Sequence, residues 1–209
     1  YPPVAVADYN PGCKHKIILS VGRFFGEGGH PKNHEFMIRS FEEMLHDGLE
    51  DWELHLAGNR GTRPVDERYF NNLQKATDGI PVILHPNLPF SDLKRLYERS
   101  SIYWHASGFG QNPKKKPINF EHFGITTIEA MASGCVPVVI KNGGQPELVN
   151  HKVDGLLWSS QKELMRFTFE LIANPRMLTQ LSQKAVSSAE RFGEDRFRQH
   201  FLELVDSIP

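Results

Sequence analysis

Glu121 and Glu129 stand with seven residues between them, and Gly124 lies inside that interval. The helix expected at residues 126–133 leaves the first carboxylate in a loop and places the second on the helix. Gly124 precedes that helix, where the lack of a Cβ lets a ligand approach the backbone. Unpaired N–H groups of the first turn, at Ile125, Thr126 and Thr127, then form a site for a phosphate-like anion, reinforced by the helix dipole. Glu129 lies a little over a turn further in, on the face that Ile125 and Thr126 begin, so it can accept hydrogen bonds from hydroxyls beside the anion. A ribose diol fits that geometry. Glu121 faces hydroxyls on the other side of the anion, where a transferred sugar would lie. Taken alone, a solvated loop carboxylate and an exposed helix carboxylate are the commoner reading of such a spacing.

The elements that must position these groups read as alternating strands and helices. Short apolar runs at 16–22, 52–58, 82–85, 102–105, 136–140 and 155–158 alternate with amphipathic periods at 35–46, 66–77, 91–99 and 126–133. Ser160 and Glu163 form a capping-box pair that opens a further helix toward Ile172. Asn174-Pro175 separates it from a helical tail. About six strands joined by helices predict an α/β fold with a doubly wound parallel sheet covered on both faces. Crossovers of this kind are right-handed, and ligands bind beyond the C-terminal strand ends. Three loops there stand out: 23–32 with Gly26, Gly28 and Gly29; 108–122 with Lys114, Lys115 and Lys116; and Gly143-Gly144-Gln145.

Composition removes several classes of function. The chain has 209 residues, 39% hydrophobic and 23% charged, as expected of an ordinary globular protein. Twenty-four Lys plus Arg against 25 Asp plus Glu leave a formal net charge of -1 and no basic field for nucleic acid. The longest strongly apolar stretch, 136–140, is far shorter than the roughly 20 residues a membrane helix needs. Tyr1-Pro2-Pro3-Val4 has no signal-peptide character and reads as the middle of a longer chain. Cys13 and Cys135 are too few for a disulfide framework, which points to a reducing, cytoplasmic setting.

The remaining polar residues have plainer readings. None of the ten His forms HxH, HExxH or a Cys/His cluster, so no metal site is expected. His105 reads as a packed strand-end residue, and Trp52, Trp104 and Trp158 as core. The lysine triplet reads as a solvated charge run, with an anionic acceptor or membrane surface as the sharper alternative. No Gly-x-Gly-x-x-Gly opens a helix after the first strand, and neither GxxxxGK[ST] nor Gly-x-Ser-x-Gly occurs, which removes dinucleotide, P-loop and serine-hydrolase readings.

The segment from Glu121 to Glu129 matches the Glu-x7-Glu motif of retaining GT-B glycosyltransferases. Residues 130–139, Ala-Met-Ala-Ser-Gly-Cys-Val-Pro-Val-Val, resemble its continuation in glycosyltransferase family 4, also called group 1. Residues 143–149 and 154–157 extend the likeness, and Ser20-Val21-Gly22-Arg23 with Lys32-Asn33 resembles the family's Gly-Arg…Lys pair. Within it, 24–31 is longer and richer in glycine than the commonest spacing, and His122 replaces what is often a small residue. Glu-His-Phe-Gly resembles a subset that includes enzymes building lipid-linked oligosaccharides.

The resemblance implies a Rossmann-like domain, the C-terminal half of a GT-B fold. Residues 1–209 would be one nucleotide-sugar-binding domain, with 1–14 a linker from a missing N-terminal acceptor domain and 175–209 C-terminal helices. It implies catalytic roles for Arg23 and Lys32 on the donor diphosphate and for Glu121 on the donor sugar. Gly22, Phe123, Gly124, Ile125, Thr126 and Thr127 would line the donor site, Glu129 would hold the ribose, and Asn87 and Leu88 would meet the base. The implied reaction moves a hexosyl unit with retention from a UDP-, GDP- or ADP-sugar onto a glycan or lipid-linked acceptor. It needs no cofactor or metal, and the chain would act in the cytoplasm or at the inner face of a membrane. A nucleotide-sugar epimerase or synthase sharing the cleft, and a non-catalytic nucleotide-sugar-binding module, are the alternatives.

Overall fold

A computed structural model describes residues 1–27, 31–112 and 114–206; Gly28 and Gly29 of the glycine-rich loop lie outside the described residues. Six strands form one all-parallel sheet: β1 (His15–Val21), β2 (Glu53–Gly58), β3 (Val82–Pro86), β4 (Ser100–His105), β5 (Val136–Ile140) and β6 (Leu156–Trp158). Their spatial order is β3-β2-β1-β4-β5-β6. The chain winds outward from β1 to β3, then returns to the other side of β1. Adjacent C-terminal ends of β1 and β4 therefore open a crevice at the point where the winding reverses.

Alternating side chains send two cores to opposite faces. Ile18, Leu54, Leu56, Trp104 and Val138 pack under α1 (His34–His46), α2 (Pro64–Ala76) and α6 (Gln161–Ala173) through Met37, Phe41, Phe70, Leu73, Leu164 and Phe167. Leu19, Tyr103, Val139 and Leu157 pack under α3 (Phe90–Arg99), α4 (Ile125–Ala132) and α7 (Pro175–Ala189) through Tyr97, Ile128, Met131 and Ala185. Trp104 and Trp158 are fully buried, and Trp52 sits buried just ahead of β2. β4, in the middle of the sheet, is buried along its whole length, as parallel strands covered on both faces must be.

Local chemistry sets the boundaries. α2 starts at Pro64, two residues ahead of the expected 66, because the Asp66 carboxylate accepts from the Arg63 N–H at 3.2 Å and Pro occupies the first helical position. β4 starts at Ser100, two ahead of the apolar run, because Ser100 donates to Leu96 O and Ser101 to His15 O, which satisfies both buried hydroxyls. Ser160 Oγ caps α6 by accepting from Glu163 N at 3.3 Å, while the Glu163 carboxylate reaches back to Ser159 N. The Gly143-Gly144-Gln145 loop runs into a short helix, α5 (Gln145–Leu148), and the tail ends in α8 (Glu194–Asp206). Residues 1–14 run against the domain: Val4 N donates to Phe192 O, and the Tyr9 ring meets Tyr97 edge-on at 5.9 Å.

Candidate active site

The β1 end supplies two cations. Gly22 N donates to Ala57 O at 2.8 Å, which continues the sheet for one residue beyond β1. The stem of Lys32 then lies across Gly22 so closely that a Cβ there would meet Lys32 Cγ at 2.7 Å. This passage delivers the Lys32 ammonium 2.7 Å from Glu121 Oε2, with both side chains about one-fifth exposed (19% and 21%). Arg23 is exposed, its guanidinium 4.8 Å above the Phe25 ring, and no carboxylate among the described residues pairs with it. The loop is anchored just beyond Arg23. Phe24 is buried between His34 and Phe70, and Gly26 N donates to Asp66 Oδ1 at 2.9 Å. The Arg63 guanidinium, with the Gly26 and Arg63 amides, pulls the Asp66 carboxyl down to about 2.

Glu121 is placed by the third glycine loop. Gly144 N donates to Glu121 O at 2.8 Å. Gly143 has φ +56, and a Cβ on it would lie 2.4 Å from Glu121 O; one on Gly144 would lie 2.5 Å from His122 O. The glycine pair is thus the surface against which the Glu121–His122 backbone is seated. At the other end of the side chain, His105 Nε2 lies 3.5 Å from Glu121 Oε2. The His105 ring and the Lys32 ammonium hold the Glu121 carboxyl well below the usual carboxylate range, against the burial that would raise it. Burial in turn pushes the His105 ring below its ordinary value, while Glu121 raises it.

α4 begins beside these groups. Gly124 takes φ +109 as its N-cap, a left-handed conformation that favours glycine, and Ile125 and Thr126 follow at the surface of the crevice. The Thr126 hydroxyl accepts from Tyr103 OH at 2.8 Å. Thr127 turns away: its N–H donates to Gly124 O, its hydroxyl donates to Gln145 Oε1 at 2.9 Å, and it is fully buried. Glu129 is tethered by the buried Tyr97, whose hydroxyl donates to Glu129 Oε2 at 2.9 Å.

These elements enclose a cleft of about 470 Å³. It gathers eight of the twelve expected site residues, namely Gly22, Arg23, Lys32, Glu121, Phe123, Gly124, Ile125 and Thr126. Thr127, Glu129, Asn87 and Leu88 do not line it. Asn87 serves the neighbouring turn instead: with φ +55 it donates its N–H to Gly58 O and accepts from Arg60 N. Leu88 packs on the second core. The cleft also takes in Gly58, Asn59 and Leu93, which the sequence reading passed over. The available signal was positional, because Gly58-Asn59 ends β2 as Gly22-Arg23 ends β1.

A larger hollow of about 750 Å³ lies on the other side of the 23–32 loop, near Asn33, Arg39, Tyr69 and Lys116. That hollow is also lined by two basic residues, Arg39 and Lys116, and two carboxylates, Glu27 and Glu35, beside the start of α1. The smaller cleft, however, stands at the C-terminal ends of β1 and β2 with the Lys32–Glu121 pair and the start of α4, and is the candidate site. Among the described residues, no group of three or more His, Cys, Asp or Glu side chains could hold a metal ion. No helix among them is long and apolar enough to cross a membrane.

A six-stranded doubly wound parallel sheet, with a crevice lined by Arg23 and Lys32 near its switch point, defines an α/β domain of the Rossmann-like kind. Residues 7–187 match the family described as Glycosyl transferases group 1, and the chain belongs to that family. It is 25% identical over 229 residues to a GDP-Man:Man(3)GlcNAc(2)-PP-Dol alpha-1,2-mannosyltransferase of Dictyostelium discoideum, covering 100% of this chain and 42% of the relative. The Homo sapiens protein of that name is 27% identical over 231 residues, covering 100% of this chain and 43% of the relative. The fold is shared with the solved sucrose-phosphate synthase of Thermosynechococcus elongatus at a TM-score of 0.78 and 18% identity, over 99% of this chain and 51% of that one. The chain therefore spans about two-fifths of the length of these curated relatives.

Proposed function

We propose that this chain is the donor-binding half of a retaining hexosyltransferase that uses GDP-mannose and passes the sugar to a lipid-linked glycan held by a further domain. The observation that carries the reading is the convergence of Arg23, Lys32, the α4 N-terminus and Glu121 on one cleft. In sugar transfer from a nucleoside diphosphate, the bond from the anomeric carbon to phosphate oxygen breaks and negative charge grows on the departing diphosphate. Arg23, Lys32 and the Ile125 and Thr126 amides present positive charge to it, the work that a metal ion does in other sites. Glu121 accepts from hydroxyls of the donor sugar, and Glu129, steadied by Tyr97, accepts from the ribose.

The choice of GDP-mannose and of a lipid-linked acceptor rests on the names of the relatives. A lipid-linked acceptor puts the protein at the cytoplasmic face of a membrane, and two free cysteines suit a reducing compartment. The test is a thermal-shift panel of this chain with GDP, UDP and ADP and their sugar conjugates, without added metal. At about 100 times the dissociation constant, the bound nucleotide stabilises by about 2.7 kcal/mol. GDP and GDP-mannose are expected to raise Tm. A response to UDP or ADP alone would replace the base, and no response to any nucleotide would overturn the reading.

A further inference from the structure

His105 is the last residue of β4, the strand that forms one wall of the switch-point crevice, and it is only 3% exposed. Its Nε2 faces Glu121 Oε2 at 3.5 Å, and Lys32 Nζ reaches that same oxygen at 2.7 Å. Glu121 Oε1 has no hydrogen-bond partner among the described residues. The other ring nitrogen, His105 Nδ1, is buried and has no hydrogen-bond partner there either. This asymmetry fixes the tautomer. A proton on Nδ1 would leave a buried N–H unpaired and turn the Nε2 lone pair against a carboxylate oxygen, whereas a proton on Nε2 points at an anion.

Both donors therefore converge on Oε2 and leave Oε1 as the free acceptor. The two donors differ in what they can do next. The Lys32 ammonium sits at the end of a long stem at the cleft surface, and a bound diphosphate attracts it away from Glu121. The His105 ring is locked in the sheet and stays. We propose that His105 is a positioning residue: its Nε2–H holds Glu121 Oε2, keeping Oε1 turned toward the donor sugar after Lys32 has moved to the diphosphate. The proposal rests on reading the cleft as a nucleotide-sugar site.

The experiment is calorimetric titration of the whole chain with GDP and, separately, with GDP-mannose, for the wild type, His105→Leu and His105→Gln. Leu keeps an apolar shape without a donor, and Gln sets an amide N–H near the position of Nε2. Because Glu121 acts on the sugar, His105→Leu is expected to leave GDP affinity within about twofold and weaken GDP-mannose about tenfold, with His105→Gln close to wild type for both. Wild-type GDP-mannose affinity in His105→Leu, or equal losses for the two ligands, would overturn the proposal. A wild type that binds neither ligand would overturn the reading of the cleft as a GDP-mannose site and the proposal with it. Nitrogen-15 spectra of the wild-type histidine rings give a test that needs no variant. A neutral Nε2–H ring whose Nε2 signal moves more with GDP-mannose than with GDP is expected, and an Nδ1–H ring would overturn the proposal.

Discussion

Lys32 Nζ lies 2.7 Å from Glu121 Oε2, so a cation expected on the donor diphosphate and a carboxylate expected on the donor sugar hold each other. The two residues are 89 positions apart in sequence. The close approach of Lys32 to Gly22 and the seat that Gly143 and Gly144 give Glu121 bring them together. The pair is a contact that a bound diphosphate must compete with.

From that competition follows the sign of one variant. Glu121→Gln removes the anion that restrains Lys32, so free GDP is expected to bind more tightly, by roughly fivefold for a pair worth about 1 kcal/mol. Calorimetry with GDP checks this, and unchanged or weaker binding would show that Lys32 is not the phosphate ligand.

Removing the cation acts in the opposite direction. Lys32→Ala is expected to weaken GDP binding on the order of tenfold or more, and transfer by the full-length enzyme on the order of 100-fold, since the charge it offsets grows in the transition state. Near-normal binding and turnover together would take Lys32 out of the site.

The seat of Glu121 can be tested without touching a charged group. Gly144 has an ordinary negative φ, so Gly144→Ala introduces only a Cβ, which would lie 2.5 Å from His122 O. Relieving that clash is expected to cost roughly 1–3 kcal/mol, read as a lower Tm in thermal melting. An unshifted Tm would mean that the Glu121 loop is free to move off the glycine pair.

Acid should unfold the protein earlier than its carboxylates alone require. Burial pushes His34 from 6.5 down to about 4, so the folded state excludes a proton that the unfolded chain accepts. The stability tied to a group lowered in this way is fully present above pH 6.5 and is lost as pH falls toward 4, about 3 kcal/mol across the window. His55, His85, His105 and His151 are shifted in the same direction and steepen the same limb. His34→Asn stays within reach of the Tyr69 hydroxyl, 3.0 Å from His34 Nδ1, but does not titrate. Its Tm is expected to fall less between pH 6.5 and 4 than that of the wild type, and an equal fall would assign the limb to other groups.

The sheet and its helices were legible because hydrophobic period is a local property. β5, at Val136–Ile140, is read from its own residues, as is the apolar face of α1. Strand ends built from buried serines were not, since Ser100 and Ser101 are satisfied by carbonyls that sequence does not place. In the site, the residues flanking Gly124 and the Arg23 and Lys32 pair were legible through their resemblance to a family, and the structure brings them to one cleft. Thr127 points elsewhere because a helix carries successive side chains around its axis, and its hydroxyl meets Gln145, whereas Glu129 lies one turn beyond Ile125 on the same face and is engaged by Tyr97. Asn87 has a left-handed backbone and its side-chain carbonyl is engaged by Arg60 N, neither of which a loop's position reveals. His105 read as a packing residue, and it does pack. Its contact with Glu121 depends on how the 108–122 loop returns over β4, which no local pattern encodes.

The measurement closest to the central claim is amide chemical-shift mapping of this chain during titration with GDP. The account predicts shifts concentrated at Gly22, Arg23, Lys32, Gly124, Ile125 and Thr126, the residues that line the β1–β4 crevice. Shifts centred instead on Asn33, Arg39, Tyr69 and Lys116, around the larger hollow, would contradict it.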